Sequence, residues 1–167
     1  MIHDAVEKLE AKDFLTLANG ASGFLAIYYA LSSNPLAAVV FVVISAIFDY
    51  LDGRIARETR KPNEFGKELD SLADVISFGV APAAIVLSSS YSSFALIFAI
   101  CYVCAGLIRL AAFNIQKEQG FYYGLPIPAA ALLVVFTFYL IRSAAPYMLL
   151  LATVLMVLKV KIRKPSF

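Results

Sequence analysis

Residues 35–57 read Pro-Leu-Ala-Ala-Val-Val-Phe-Val-Val-Ile-Ser-Ala-Ile-Phe-Asp-Tyr-Leu-Asp-Gly-Arg-Ile-Ala-Arg. Up to Phe48 the run carries no charge, and it is long enough to cross a bilayer, which takes about 20 mostly apolar residues. Its far end nonetheless holds Asp49 and Asp52. An aspartate at the centre of a membrane helix costs about 2.5–3.5 kcal/mol, and less near the interface. A chain keeps such groups only where something compensates them.

Outward from this stretch, the same ruler marks five more apolar segments, at 14–31, 70–89, 92–114, 126–142 and 146–161. The breaks between them carry turn residues: Ser32-Ser33-Asn34-Pro35, Lys61-Pro62-Asn63, Ser88-Ser89-Ser90, Gly120 with Gly124, and Ser143 to Pro146. Residues 3–12 mix acidic, basic and apolar positions, as a short amphipathic helix lying at the interface would. The expected architecture is therefore all-α: an interfacial helix over residues 1–13, then a membrane domain of six transmembrane helices over residues 14–167. Composition agrees. Of 167 residues 61% are hydrophobic and 16% charged, against about 45–50% and about 25% in an ordinary soluble chain.

The net charge of +2 gives no argument for a nucleic-acid partner, but its distribution is informative. With six spans, one side collects 13 of the 14 Lys and Arg, and only Arg142 falls opposite. The positive side faces the cytoplasm, so a multi-pass protein of the cell membrane with both termini cytoplasmic is expected. The acidic residues share that side, which places any chemistry there. Cys101 and Cys104 lie in an apolar run with no second pair or histidine cluster, and read as small buried residues of a membrane helix rather than as a metal or redox pair.

The next segment repeats the anomaly as Gly66-Lys67-Glu-Leu-Asp70-Ser-Leu-Ala-Asp74. At about 100° per residue, Asp49, Asp52, Gly53 and Ala56 occupy roughly one third of a helix circumference, and Asp70 and Asp74 share one face of theirs. If the two helices are neighbours, four carboxylates converge on one pocket. Oxygen ligands at that density suit Mg²⁺, Mn²⁺ or Ca²⁺ rather than Zn²⁺, and two such ions could clamp a phosphoryl group between them. Gly53 and Ala56 leave that face uncrowded, and Arg57 offers a planar fork to a phosphate. Ion pairs with Arg54, Arg57 and Lys67, or a small cation transporter, are the readings that compete with this one.

Taken together, Asp49, Asp52, Gly53, Ala56, Arg57, Gly66, Asp70 and Asp74 resemble the signature of the CDP-alcohol phosphotransferases, DxxDGxxAR followed after eight residues by GxxxDxxxD. The resemblance implies six transmembrane helices, a homodimer, a cytoplasm-facing cavity, bound divalent metal and a CDP-linked lipid donor. Further segments, Arg109-Leu-Ala-Ala-Phe-Asn114 and Gly124-Leu-Pro-Ile-Pro-Ala129 among them, are similar to the serine-using branch of that family. The implied reaction passes a phosphatidyl or archaetidyl group to L-serine and releases CMP. Acceptors such as glycerol 3-phosphate or inositol phosphate would want more cations than Arg109 and Lys117 supply.

By the same resemblance, Asp49, Asp52, Asp70 and Asp74 hold Mg²⁺ or Mn²⁺, two ions per site, with Ca²⁺ able to replace them without activity. Asp74 is the general base and Asp70 the alternative. Asp52, Gly53, Ala56, Arg57, Gly66 and Lys67 contact the nucleotide, with Asn19 a further candidate. Arg109, Asn114 and Ser77 line the acceptor site. This chain departs from the family's habit at Asp13, where a proline is common, and at Ala112, where an arginine is.

Overall fold

A computed structural model of the protein describes residues 9–10, 12–59, 64–115, 121–158 and 161–163. The interfacial helix expected within residues 3–12 falls largely outside them. The first described helix, α1, spans Asp13–Leu31. Just before its opening turn the Asp13 carboxylate accepts the Glu10 N–H at 2.8 Å. The helix ends in a tight turn in which Ser33 adopts φ 57°. There the Asn34 side chain accepts the Ala37 N–H at 3.2 Å, and Pro35 occupies the first position of α2, Pro35–Thr59. This hairpin lays α1 along α2.

The third apolar helix is built in three pieces: α3 (Glu64–Asp74), a π-helical turn (Val75–Val80) and α4 (Ala81–Ser89). Pro82 accounts for the change of pitch. It has no N–H to give the carbonyl of Phe78, and its ring crowds that carbonyl. The turn widens, Ala81 donates back to the Ile76 carbonyl, and the freed Phe78 oxygen accepts the buried Tyr102 hydroxyl at 2.8 Å. Tyr102 belongs to α5, Ser93–Ile115, whose first turn is capped by the Ser92 hydroxyl accepting from Ala95 N–H.

Past α5 the all-α architecture gains one short two-stranded ribbon. Phe121–Tyr123 (β1) pairs antiparallel with Lys161–Arg163 (β2), in the register Phe121↔Arg163, Tyr122↔Ile162 and Tyr123↔Lys161. The pattern of apolar runs carries no signal for so short a ribbon. At its exit Gly124 takes φ +72°, and a side chain there would meet the Met156 carbonyl. The Leu125 N–H then donates to the Leu155 carbonyl at 3.0 Å, tying the start of α6 (Ile127–Leu140) to the end of α7 (Ala145–Val157).

Four helices, Asp13–Leu31, Pro35–Arg57, Glu64–Ser89 and Ser93–Ile115, are long and apolar enough to cross a membrane. The apolar helices Ile127–Leu140 and Arg142–Val157 are shorter. At 1.5 Å per residue each covers about 20–25 Å. Size is distributed as in a membrane protein: alanines such as Ala26, Ala38, Ala81 and Ala130 fill the interior, while Phe24, Leu31, Phe94, Ile108 and Phe136 point outward. Lipid rewards large apolar groups on the outside, and small ones inside let helix backbones approach. These features describe a multi-pass membrane protein. One sequence reading is corrected here: Cys101 and Cys104 are not buried but exposed on the outer face of α5, while Tyr102, Ala105 and Gly106 take its inner face.

Candidate active site

The site sits where the charged end of α2 meets the start of the third helix, and α1 holds both in place. Asp13, Thr16, Asn19, Ser22 and Gly23 are buried along one face of α1, a spacing of three to four residues that follows the helical repeat. A Cβ on Gly20 would lie 3.5 Å from Ala73 Cβ, and one on Gly23 only 2.6 Å from Ser77 Cα. Small residues thus bring the backbone of α1 against the third helix. At this crossing the Asn19 carbonyl accepts from two hydroxyls, Ser77 at 2.9 Å and Ser45 at 3.2 Å.

Two side chains of α1 then reach the aspartates. Thr16 donates its hydroxyl to Asp52 at 2.8 Å, and one turn further Asn19 donates its amide to Asp74 at 3.2 Å. Asp49, Asp70 and Asp74 each turn a carboxylate oxygen toward the others, all within 4.8 Å. Three like charges so close repel one another strongly in a low-dielectric setting, and a cation among them removes the penalty. Asp70 adds a second sign: its Oδ1 is buried and has no hydrogen-bond partner among the described residues. An all-carboxylate donor set with an unsatisfied oxygen fits a hard divalent ion.

The expected convergence of four aspartates is realised as three and one. Asp52 stands aside, bound to Thr16, on the wall of a neighbouring recess. That recess, of about 200 Å³, is lined by Lys12, Asp13, Thr16, Asp52, Gly53, Ala56, Gly66, Lys67 and Asp70. A side chain at Gly53 would meet nothing within 4 Å, so the backbone there lies open to a ligand. The second recess, of about 240 Å³, has Asp49, Asp74, Ser71, Arg109, Phe113 and Asn114 in its walls, together with Pro126 to Pro128. Lys67 and Asp70 line both recesses.

One arm of the second recess is pinned by a short network. Lys67 Nζ donates to the Asn114 carbonyl at 2.6 Å, and the Asn114 amide donates to Ser71 Oγ at 2.9 Å. Asn114 Oδ1 is buried with no partner among the described residues, an acceptor available for a ligand's N–H.

Of the residues anticipated from sequence, Asp52, Gly53, Ala56, Gly66 and Lys67 share the first recess, and Arg109 and Asn114 share the second. Two are elsewhere. Arg57 is exposed at the end of α2 and lines neither recess. Ser77 is fully buried behind Asn19, holding its carbonyl, and reaches neither recess. Asn19 supports Asp74 rather than lining a cavity. Sequence reasoning passed over Lys12, Asp13 and Thr16 on the first recess and Ser71 on the second. The polar residues Asp13, Thr16 and Asn19, three apart in an otherwise apolar helix, were the signal for most of them.

The geometry presents a carboxylate cluster able to hold a metal ion, at one end of a bundle of apolar helices and between two polar recesses. Comparison with known proteins gives the family. The model of the CDP-alcohol phosphatidyltransferases matches residues 11–160, and the chain belongs to that family. It is similar to a CDP-diacylglycerol–serine O-phosphatidyltransferase of Methanocaldococcus jannaschii, with 47% identity over 131 residues, covering 78% of this chain and 61% of the relative. The archaetidylserine synthase of Methanothermobacter thermautotrophicus is 36% identical over 154 residues, covering 87% and 66%. A CDP-diacylglycerol–serine O-phosphatidyltransferase of Bacillus subtilis is 35% identical over 125 residues, covering 72% and 71%. The chain therefore spans about three-fifths to seven-tenths of the length of these relatives.

Proposed function

We propose that the protein transfers a phosphatidyl or archaetidyl group from a CDP-activated lipid to L-serine, releasing CMP. The observation that carries this reading is the trio Asp49, Asp70 and Asp74, with carboxylates within 4.8 Å of one another at the meeting of two recesses. The relatives named above, with serine in their activity, support the choice of acceptor.

The first recess takes the nucleotide end of the donor, against the open backbone of Gly53 and the small Ala56 and Gly66, with Lys67 and Lys12 facing its phosphates. The second takes serine: Arg109 receives the carboxylate, and Asn114 Oδ1 accepts from the ammonium. The serine hydroxyl oxygen attacks the lipid-side phosphorus as the bond from that phosphorus to the bridging oxygen breaks, so the electron pair leaves with CMP. Asp74, held by Asn19, takes the hydroxyl proton; Asp70 is the alternative base. Asp49, Asp70 and Asp74, with Asp52 completing the set, would hold divalent metal, which when bound would neutralise charge on the diphosphate and the departing CMP. The ions are Mg²⁺ or Mn²⁺, two per site, and Ca²⁺ binds without supporting turnover. Transfer of this kind needs mostly positioning and charge stabilisation.

The wider reading is a homodimer in the cell membrane with six spans, the two shorter helices included. The enzymatic domain is assigned to residues 14–167, with the site facing the cytoplasm.

The deciding experiment is CMP release from CDP-lipid in detergent with Mg²⁺ or Mn²⁺, comparing serine, glycerol 3-phosphate, inositol phosphate and no acceptor. Release with serine alone, abolished by a chelator, is expected. Release only with a phosphorylated acceptor would overturn the substrate while keeping the aspartate mechanism. No release with any acceptor would leave cation transport as the better account.

A further inference from the structure

A further recess lies far from the aspartates. It has a volume of about 730 Å³, within the roughly 300–1,000 Å³ of small-molecule sites, and opens where α4 ends, α5 begins and α7 begins. From Asp74 to its rim at Ser89 the third helix runs 15 residues, about 22 Å at 1.5 Å per residue. It is not an extension of the active site.

Its chemistry is one-sided. Arg142 stands in the wall, its guanidinium carbon 5.7 Å from the centre of the Phe138 ring, an arrangement that orients the planar fork. No Asp or Glu occurs at 14–48, 75–117 or 119–167, so no carboxylate belongs to any connection at this end of the bundle. Around Arg142 the wall offers the hydroxyls of Ser90, Ser92 and Ser143. Ser92 Oγ already accepts from the Ala95 N–H at 3.1 Å, which leaves its own proton to donate outward. A cation with donor hydroxyls and no acid at its end of the chain is complementary to an anion, and a guanidinium matches phosphate oxygens two at a time.

The remaining wall says which anion. Phe98 and Tyr147 line it as a tilted ring pair 6.3 Å apart. Tyr147 in the wall is 69% exposed, and Tyr91 in the α4–α5 connection 94%, as aromatic residues at a membrane–water boundary are. A free phosphate makes no use of these rings; a lipid does.

We propose that this recess binds an anionic membrane phospholipid, in the leaflet opposite the aspartates, with its phosphate on Arg142 and the serine hydroxyls and its glycerol and upper chain against Phe98 and Tyr147. The inference rests on the helices spanning a membrane and not on the proposed reaction. A lipid with a net negative charge is favoured because no carboxylate at this end of the chain would pair with an ammonium.

The test is thermal unfolding of the full-length protein in detergent with added short-chain phosphatidylglycerol, phosphatidylcholine of the same chain length, or inorganic phosphate. The proteins compared are wild type, Arg142→Gln, Arg142→Lys and Ser90→Ala/Ser143→Ala. Phosphatidylglycerol is expected to raise the wild-type midpoint more than either other addition. Arg142→Gln should lose that increment, Arg142→Lys keep part of it and the double serine variant show a reduced one. An undiminished increment in Arg142→Gln would place the binding at the basic end of the molecule and overturn the proposal. Equal effects of phosphatidylcholine, or of inorganic phosphate through Arg142, would overturn the anionic-lipid assignment. Should Arg142→Gln not fold, the serine variant decides alone, an intact increment counting against the site. Serine-dependent CMP release is measured in parallel, and Arg142→Gln should retain it; its absence from wild type would speak against the proposed reaction and leave the lipid site standing.

Discussion

The two recesses beside the aspartates are close in size, about 200 and 240 Å³, yet are built differently. The first is walled by α1, α2 and α3, with the small residues Gly53, Ala56 and Gly66 in its wall and the backbone open at Gly53. The second is walled by α2, α3, α5 and the start of α6, with side chains that carry heteroatoms at their tips: Arg109, Asn114 and Ser71. A bare-backbone wall suits a bulky phosphate-bearing group that must approach closely, whereas side-chain tips suit a small ligand needing a few directed contacts. On the proposed function, one binding step belongs to each recess, and the chemistry to the aspartates where they meet. Substitutions should sort accordingly, by which substrate's KM moves.

The shared wall should give the largest effect. Asp70→Asn keeps shape but removes a charge from the trio and from both recesses. Changing a group that only supports a metal ligand costs about 10–100-fold, so a carboxylate of the trio itself should cost more than about 100-fold in kcat. CMP release at saturating donor and serine checks this, with protection by CDP from thermal unfolding showing whether the protein still folds and binds. Wild-type kcat with only one KM altered would break the picture of a common wall.

Thr16→Val comes next and acts on the first recess alone. It deletes the 2.8 Å hydrogen bond to Asp52 without changing side-chain shape, leaving a buried carboxylate oxygen short of a donor, a loss of about 1.5–3 kcal/mol. Donor KM or metal affinity should weaken about 10–100-fold, while serine KM stays put. Thr16→Ser, which restores the hydroxyl, should recover most of the loss; failure to do so would mean that Thr16 acts by packing rather than by positioning Asp52.

How far the sequence reveals this arrangement depends on the kind of signal. Long apolar runs and one-sided charge are written residue by residue, so the helix boundaries and the charged end can be read directly. The aspartate spacing shows which carboxylates share a helix face, but not the rotation of one helix against the next. That rotation leaves Asp52 on Thr16 and Asp49 with Asp70 and Asp74. Ser77 misled for the same reason: a hydroxyl three residues after Asp74 looks like part of a site until the close approach of α1 buries it. The π-helical turn required knowing that Pro82 strips the Phe78 carbonyl of its donor and that Tyr102 supplies another. The β1–β2 ribbon is specified by backbone pairing between distant segments, for which a single sequence has no periodicity to offer.

Gly23 tests whether that close approach is what keeps α1 in reach of the aspartates. A Cβ at position 23 would sit 2.6 Å from Ser77 Cα, so the backbones must separate. Overpacking of this kind costs about 1–3 kcal/mol. Gly23→Ala should lower thermal stability and also weaken the first recess, since Thr16 and Asn19 move with the helix. Adding Ser77→Ala should not rescue it, because Cα and Cβ of residue 77, 2.6 and 2.8 Å away, remain in the way once the hydroxyl is gone. Rescue by that second change would show that only the Ser77 hydroxyl was in the way.

The smallest effect, and the sharpest separation of the two recesses, is expected at Asn114. Asn114→Ala removes the buried Oδ1 proposed to receive the serine ammonium, together with the amide donated to Ser71, but leaves the backbone carbonyl that anchors Lys67. The clamp between the third helix and the end of α5 therefore survives, and the loss reads the side chain alone. One hydrogen bond to a charged group, at about 1.4 kcal/mol, corresponds to about a tenfold rise in serine KM, with kcat and donor KM near wild type. Asn114→Asp retains an acceptor for the ammonium while giving up the Ser71 contact, and should fall between the two. If Asn114→Ala instead raised donor KM and spared serine, the second recess would hold the lipid end of the donor, and the acceptor would have to approach along α1.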